Sequence, residues 1–368
     1  MAGMHDLLAL GQSVWLDYIR RSLVRGGELK GLVEQGLRGL TSNPSIFEKA
    51  IAGSNEYDTD LRAAIRRRPE ADAGALFEAL AIVDIREAAD VLADVWRSSR
   101  GEDGYVSLEV SPHLAHDTAR TIADARRLWT AVGRPNLMIK VPATTEGVPA
   151  LETLIAEGIN VNATLMFSLA HYEAIAHAYL RGLERCVQPE RVASVASFFV
   201  SRVDSMIDPQ LDAIGTPAAA DLRGRAAVAN AQLAYARYQQ LFGAPFAQLR
   251  ARGAKPQRVL FGSTSTKDKT YSDVKYVEEL IGPDTVNTVP PETITAFLDH
   301  GVARVTLTQD VDAAARVFDE LRVLGIDIDV VTEALQVDGV VKFAESFDKL
   351  LAALEAKREA VLEPVERR

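Results

Sequence analysis

Lys140 stands in the run Leu137-Met138-Ile139-Lys140-Val141-Pro142, a cation inside an otherwise apolar stretch. Lysine is seldom buried without a partner. Lys140 therefore reads either as half of a buried ion pair, with Glu109 or Asp17, or as a functional amine. Desolvation and nearby cations lower a lysine pKa, and a free amine at neutral pH attacks a carbonyl carbon to give a Schiff base. On a sugar, that chemistry needs further parts. One carboxylate moves protons while the carbinolamine forms and loses water; a second takes the proton from the hydroxyl at the C–C bond that breaks. Neutral amides hold the hydroxyls and orient the enamine. Asp17, Glu109, Asn43 and Asn162 supply these types, with Thr164 two residues beyond the last of them. For each residue alone, a polar group that simply meets solvent at the end of a strand is the plain alternative.

What must position them is a set of strands. Eight β-like runs alternate with helical stretches: Gln12–Asp17, Leu37–Asn43, Tyr105–Val110, Leu137–Val141, Ile159–Leu165, Val192–Phe199, Arg258–Ser263 and Asp284–Val289. Helix-like segments between them include Leu76–Arg97, Pro112–Val132, Ser168–Cys186 and Ala218–Phe242. This alternation predicts parallel βαβ units, and eight of them predict a closed α/β (β/α)8 barrel, with an open doubly wound sheet as the alternative. Successive side chains on a strand face opposite sides. Parity then places Asp17 with Trp15, Asn43 with Thr41, Glu109 with Ser107, Lys140 with Met138, and Asn162 with Thr164. The polar members fall toward the C-terminal ends, which converge on one mouth in a parallel barrel.

A phosphate site is also legible. The run Arg258–Lys269 is a strand followed by Gly262, four hydroxyl residues and Lys267. Small residues expose backbone N–H groups to an anion, and Ser265 and Lys267 add a hydroxyl and a charge; an ordinary flexible loop is the alternative. Ser197 closes another strand, with Arg202 just beyond it. Arg202 faces either phosphate or one of two nearby carboxylates, Asp204 and Asp208.

The composition sets bounds. The chain has 368 residues and a formal net charge of −10, with 48% hydrophobic and 25% charged residues, which excludes a disordered or collagen-like chain. The acidic balance argues against a nucleic-acid partner. No stretch of about 18 apolar residues suggests a membrane span, and the N-terminus has no basic, apolar signal pattern. The single cysteine, Cys186, fits a reducing compartment, so a cytoplasmic location is expected. No phosphate-binding or dinucleotide-binding glycine signature is present. His113 with His116 and His171 with His177 lack the carboxylate or cysteine partners of a metal motif, so no metal is expected. The charged segment Ile51–Ala75, with Arg66, Arg67 and Arg68 together, reads as a solvated connection or helix face. Near the C-terminus, Val340, Phe343, Phe347, Leu350, Leu351 and Leu354 form an apolar stripe at helical spacing. The expected place for it is the outer helical ring; a dimer contact or a lid is the alternative.

Taken in order, the motifs 39–51 (GLTSNPSIFEKAI), 106–112 (VSLEVSP), 137–144 (LMIKVPAT), 159–168 (INVNATLMFS), 194–204 (SVASFFVSRVD) and 261–291 resemble the transaldolase family over nearly the whole chain. The likeness is to its longer branch, found in actinobacteria and cyanobacteria. The resemblance implies a single (β/α)8 barrel domain over 1–368, with 308–368 as a helical extension packed on the barrel. It implies no cofactor, a place in the non-oxidative pentose phosphate pathway, and sugar phosphates as the partners of a monomer or homodimer. A dihydroxyacetone unit would pass from sedoheptulose 7-phosphate or fructose 6-phosphate to glyceraldehyde 3-phosphate or erythrose 4-phosphate. By resemblance Lys140 forms the Schiff base, Asp17 is the acid/base at the cleaved bond, and Asn43 and Asn162 are site amides. Glu109 and Thr164 hold a catalytic water; Ser197 and Arg202 bind phosphate, with the aromatic Phe199 beside them. One departure stands out: better-known members carry an arginine in the loop after the seventh strand, where this chain has Lys267. The rivals are a class I aldolase that releases dihydroxyacetone, such as a fructose-6-phosphate aldolase, and a non-catalytic sugar-phosphate sensor.

Overall fold

The computed structural model describes residues 2–362; the end of the expected C-terminal extension, 363–368, lies outside the described residues. Eight strands close into a barrel in chain order: β1 (Gln12–Asp17), β2 (Gly39–Thr41), β3 (Tyr105–Glu109), β4 (Leu137–Pro142), β5 (Val161–Met166), β6 (Ser194–Phe199), β7 (Arg258–Gly262) and β8 (Thr285–Val289). Every neighbouring pair is parallel, β8 with β1 included. Each expected run overlaps one strand, and β4 and β5 continue one residue past theirs, to Pro142 and Met166. The open-sheet alternative is excluded by the β1–β8 pairing.

Helices cover the outside, so the strands are buried on both faces and read as near-continuous apolar runs. Parity separates two cores. Val106, Leu108, Ile139, Val141, Val161 and Ala163 point outward into the sheet–helix layer. Trp15, Tyr105, Met138, Val195, Leu260 and Val286 fill the barrel itself. Trp15 makes Gly39 necessary, because a Cβ there would lie 2.5 Å from the indole ring. The covering helices start and stop on local signals. The helix Thr118–Val132 opens with the Asp117 carboxylate accepting from the Arg120 N–H and closes at Gly133 with φ 61°. The helix Leu169–Arg185 opens on Ser168, whose hydroxyl accepts from the His171 N–H.

Below the aromatic layer, the N-terminal pole is closed by a buried polar plug. Arg258 donates to Asp103 Oδ1 (2.8 Å) and to Ser13 Oγ (3.0 Å), while Ser13 Oγ and Trp15 Nε1 donate to the Asp103 carboxylate at 2.7 and 3.2 Å. Within 51–75, the helix Asp58–Arg67 buries Leu61 and Ile65 and leaves Arg66, Arg67 and Arg68 in solvent. No helix among the described residues is long and apolar enough to cross a membrane.

The C-terminal stripe corrects its expected placement. It belongs to a longer helix, Ile328–Leu362, which crosses the mouth of the barrel and does not join the outer ring. Gln336 Nε2 donates to the carbonyls of Ala143 and Leu165 at the ends of β4 and β5, 3.0 Å each. The Leu165 backbone is left-handed there (φ 58°), where β5 shifts register against β6. A left-handed backbone is uncommon for leucine. Phe347 stacks edge-on against Phe77, 5.5 Å between centroids.

Asp103→Ala leaves Arg258 buried without its carboxylate. The expected loss is about 3–5 kcal/mol of unfolding free energy, read from urea titration; a change within about 0.5 kcal/mol, as for an ordinary surface substitution, would show that the plug does not hold the pole.

Candidate active site

The barrel's register sets three site residues side by side: Glu109 pairs with Lys140 across β3–β4, and Lys140 with Asn162 across β4–β5. Lys140 is 4% exposed and Glu109 9%. The ammonium lies 3.5 Å from Glu109 Oε2 and donates to the Ser42 carbonyl at 3.2 Å. Neither Glu109 oxygen is hydrogen-bonded, nor is the buried Thr164 hydroxyl. Burial pushes the Glu109 carboxyl up to about 7, against the opposing pull of the Lys140 charge. The ion-pair reading of Lys140 is therefore correct as geometry, with Glu109 as partner. An amine beside a carboxyl that titrates near neutrality is also the pairing that imine chemistry uses.

Asp17 lies across the mouth. Thr41 Oγ1 donates to its Oδ1 at 2.7 Å. That contact uses the only Thr41 hydroxyl proton, so the 2.7 Å contact between Thr41 and Thr288 hydroxyls has Thr288 as donor. Burial raises the Asp17 pKa, opposed by Lys140 and by the Thr41 hydrogen bond. Asn43 caps the helix Pro44–Phe47: its Oδ1 accepts from the Ile46 N–H at 3.0 Å. The cap leaves the amide NH2 for other partners. Asn162 is fully buried, accepting from Ser197 Oγ at 2.6 Å and donating to Ser107 Oγ at 3.0 Å.

A cavity of about 400 Å³ opens over these residues. Asp17, Asn43, Lys140, Ser197, Phe199, Arg202, Ser265 and Lys267 line it; the buried Glu109, Asn162 and Thr164 do not. Its rim after β6 and β7 is cationic. The Arg202 guanidinium sits 5.5 Å from the Phe199 ring, and its buried Nη1 has no hydrogen-bond partner. Burial lowers the Arg202 pKa, with Asp338 pulling the other way. The alternative that Arg202 pairs with Asp204 or Asp208 fails. Asp204 accepts from the Ala227 N–H and the Tyr276 hydroxyl, both at 2.7 Å. Asp208 accepts from the Gly224 N–H at 3.0 Å and the Tyr271 hydroxyl at 2.7 Å. These bonds fix the segment behind the Ser263–Lys267 loop, in which Lys267 Nζ donates to Ser265 Oγ at 2.6 Å. Ser263 takes a left-handed φ of 54° as the chain leaves β7.

Sequence reasoning misses Thr41, Thr288 and Phe343 as site residues. Thr41 shares its strand face with Asn43, so parity marks it; Thr288 carries no comparable signal. Phe343 is visible as part of a stripe, but a stripe does not say what it faces. A larger depression, about 950 Å³, lies at the opposite pole between Trp96, Trp129 and Arg191. Its lysine, Lys255, is tied to the Glu190 carbonyl at 2.6 Å, and the convergent strand ends are at the other pole. Among the described residues, no group of three or more His, Cys, Asp and Glu is placed to hold a metal.

A closed parallel barrel with a buried lysine–carboxylate pair and a cationic rim at its C-terminal mouth is the architecture of a (β/α)8-barrel enzyme. Residues 14–354 match the family model described as Transaldolase/Fructose-6-phosphate aldolase. A transaldolase of Frankia alni is 49% identical over 358 residues, covering 95% of this chain and 96% of its own. One of Thiobacillus denitrificans is 50% identical over 355 residues, covering 95% and 98%. Transaldolase 2 of Nostoc punctiforme is 47% identical over 381 aligned positions, 98% of each chain. The chain belongs to the transaldolase/fructose-6-phosphate aldolase family.

The raised Glu109 pKa has a definite sign. Between the ordinary glutamate value of about 4.5 and about 7, the folded protein holds a proton that the unfolded chain has lost, so stability falls as pH rises through that window. Glu109→Gln removes this titration. The loss of unfolding free energy between pH 5 and pH 8 is expected to be smaller in the variant than in the wild type; equal losses would contradict the raised value.

Proposed function

We propose that the chain transfers a dihydroxyacetone unit between sugar phosphates through a Schiff base on Lys140. The observation that carries this reading is the buried Lys140–Glu109 pair, with Lys140 and Asp17 lining one cavity. Lys140 attacks C2 of a ketose phosphate such as fructose 6-phosphate or sedoheptulose 7-phosphate. Glu109 gives a proton to the departing carbinolamine hydroxyl and takes one back at hydrolysis. Its unpaired oxygens and the unpaired Thr164 hydroxyl are the groups that a bridging water would satisfy. Asp17, its acidity weakened by burial, takes the proton from the C4 hydroxyl as the C3–C4 bond breaks. The aldose phosphate leaves, and the enamine stays on Lys140. Asn43 binds its hydroxyls through the free amide NH2, and Asn162 supports the site through Ser197. An acceptor such as erythrose 4-phosphate or glyceraldehyde 3-phosphate then takes the unit as C3 attacks its aldehyde carbon.

Phosphate anchoring falls to Arg202, Ser265 and Lys267. An anion at Arg202 would satisfy the unpartnered Nη1 and restore the stability of its charge. Lys267 offers a point charge in place of a bidentate fork. Phe199 packs under the guanidinium, and Ser197 reaches the cavity from β6.

Lys140→Ala tests the reading. The variant is expected to keep the wild-type circular dichroism spectrum and to lose transfer from fructose 6-phosphate to erythrose 4-phosphate by at least about 10⁴-fold, the loss of the covalent route. Normal turnover in a folded Lys140→Ala protein would overturn the assignment.

A further inference from the structure

The C-terminal helix is held to the mouth at intervals along its length. Gln336 binds the ends of β4 and β5. Three residues on, Gly339 permits a close approach: a Cβ there would lie 3.0 Å from Leu165 Cδ2. Ser45 Oγ donates to Ser346 Oγ at 2.8 Å, and Lys357 Nζ donates to the Ser54 carbonyl at 2.7 Å and to Asp58 Oδ1 at 2.8 Å. Between these anchors sits Phe343, 4% exposed, with its ring centroid 5.6 Å from Lys140 Nζ. It is the one residue of this helix that lines the cavity. Asp17, Thr41, Asn43 and Ser197 line the cavity as polar groups, and Ile46 and Phe199 add apolar surface from other elements.

An aromatic face attracts an ammonium, which accounts for the contact with free Lys140. Once the nitrogen belongs to a neutral enamine, that attraction is gone and the ring is an apolar cover. Two fates are open to the enamine. In transfer, C3 forms a bond to the acceptor aldehyde carbon. In release, C3 takes a proton from water, water adds across the resulting C=N⁺ bond, and the carbinolamine collapses to dihydroxyacetone and the Lys140 amine. Release therefore requires a proton at C3 before any acceptor arrives.

We propose that Phe343 is a specificity-determining residue: it covers the Lys140-bound enamine against solvent protons, so that the three-carbon unit waits for an aldehyde. Excluding water from a reactive intermediate is a recognised use of an apolar cover. The anchors at Gln336, Ser346 and Lys357 keep the ring in place. The inference rests on the Schiff-base reading above.

The test uses the full chain with Phe343→Ala and Phe343→Leu, and three readouts. These are free dihydroxyacetone formed from fructose 6-phosphate without acceptor, transfer to erythrose 4-phosphate, and borohydride-trapped adduct. Phe343→Ala is expected to raise the ratio of release to transfer by about tenfold or more while still forming the adduct. Phe343→Leu, which keeps an apolar cover, should stay within about threefold of wild type. Phe343→Gln, which retains bulk but loses the apolar face, carries the same expectation as alanine should the alanine variant not fold. An unchanged ratio in the alanine or glutamine variant, with adduct still trapped, overturns the cover and leaves the Schiff base standing. Absence of adduct in the wild type overturns both.

Discussion

The pairing of Lys140 with Glu109 inside the barrel is the constraint on which the rest depends. Taking either ion out of water costs several kcal/mol even after relaxation, and an unpaired partner costs more. The fold meets this by placing the two groups on neighbouring strands in direct register, which keeps their backbones side by side. Glu109 still gives up part of its acidity to burial. That residual strain is chemically useful, because a carboxyl that titrates near neutrality both donates and accepts protons under ordinary conditions.

The surroundings of the pair keep it fixed. Trp15, Met138, Leu260 and Val286 form a floor of side chains beneath it, and the Arg258–Asp103 plug seals the far pole. On the mouth side, the C-terminal helix closes over Lys140. The cationic rim after β6 and β7 is left open, since Asp204 and Asp208 are occupied in holding the loop segment and do not neutralise Arg202. The cavity is thus apolar on one side, acidic at Asp17 and basic at its rim. A sugar phosphate has the matching polarity.

Much of this is legible in the residues. Strands buried on both faces are written as short apolar runs, so all eight appear in the right order. Period-two alternation alone sorts Asp17, Glu109, Lys140, Asn162 and Thr164 onto the faces that point into the barrel. The limits are equally physical. Periodicity reports which face of a helix is apolar but not which surface it meets, so the stripe through Phe343 reads as part of the outer ring. Charge spacing leaves Arg202 between phosphate and two carboxylates. Arg202 and Asp204, two apart on a helix, do not face each other, and the helix Ser201–Ile214 sends Asp204 and Asp208 to Tyr276 and Tyr271 instead. Bonds between residues far apart in the sequence, such as Ser197 to Asn162 or Thr288 to Thr41, leave no local trace at all.

We propose Lys140 as the nucleophile, carrying a three-carbon unit. Reduction with borohydride in the presence of fructose 6-phosphate, followed by peptide mass mapping, tests it most directly. The expected product is a reduced dihydroxyacetone adduct confined to the peptide that contains Lys140. Folded protein that binds the sugar phosphate yet yields no adduct, or yields one on a different lysine, would contradict it.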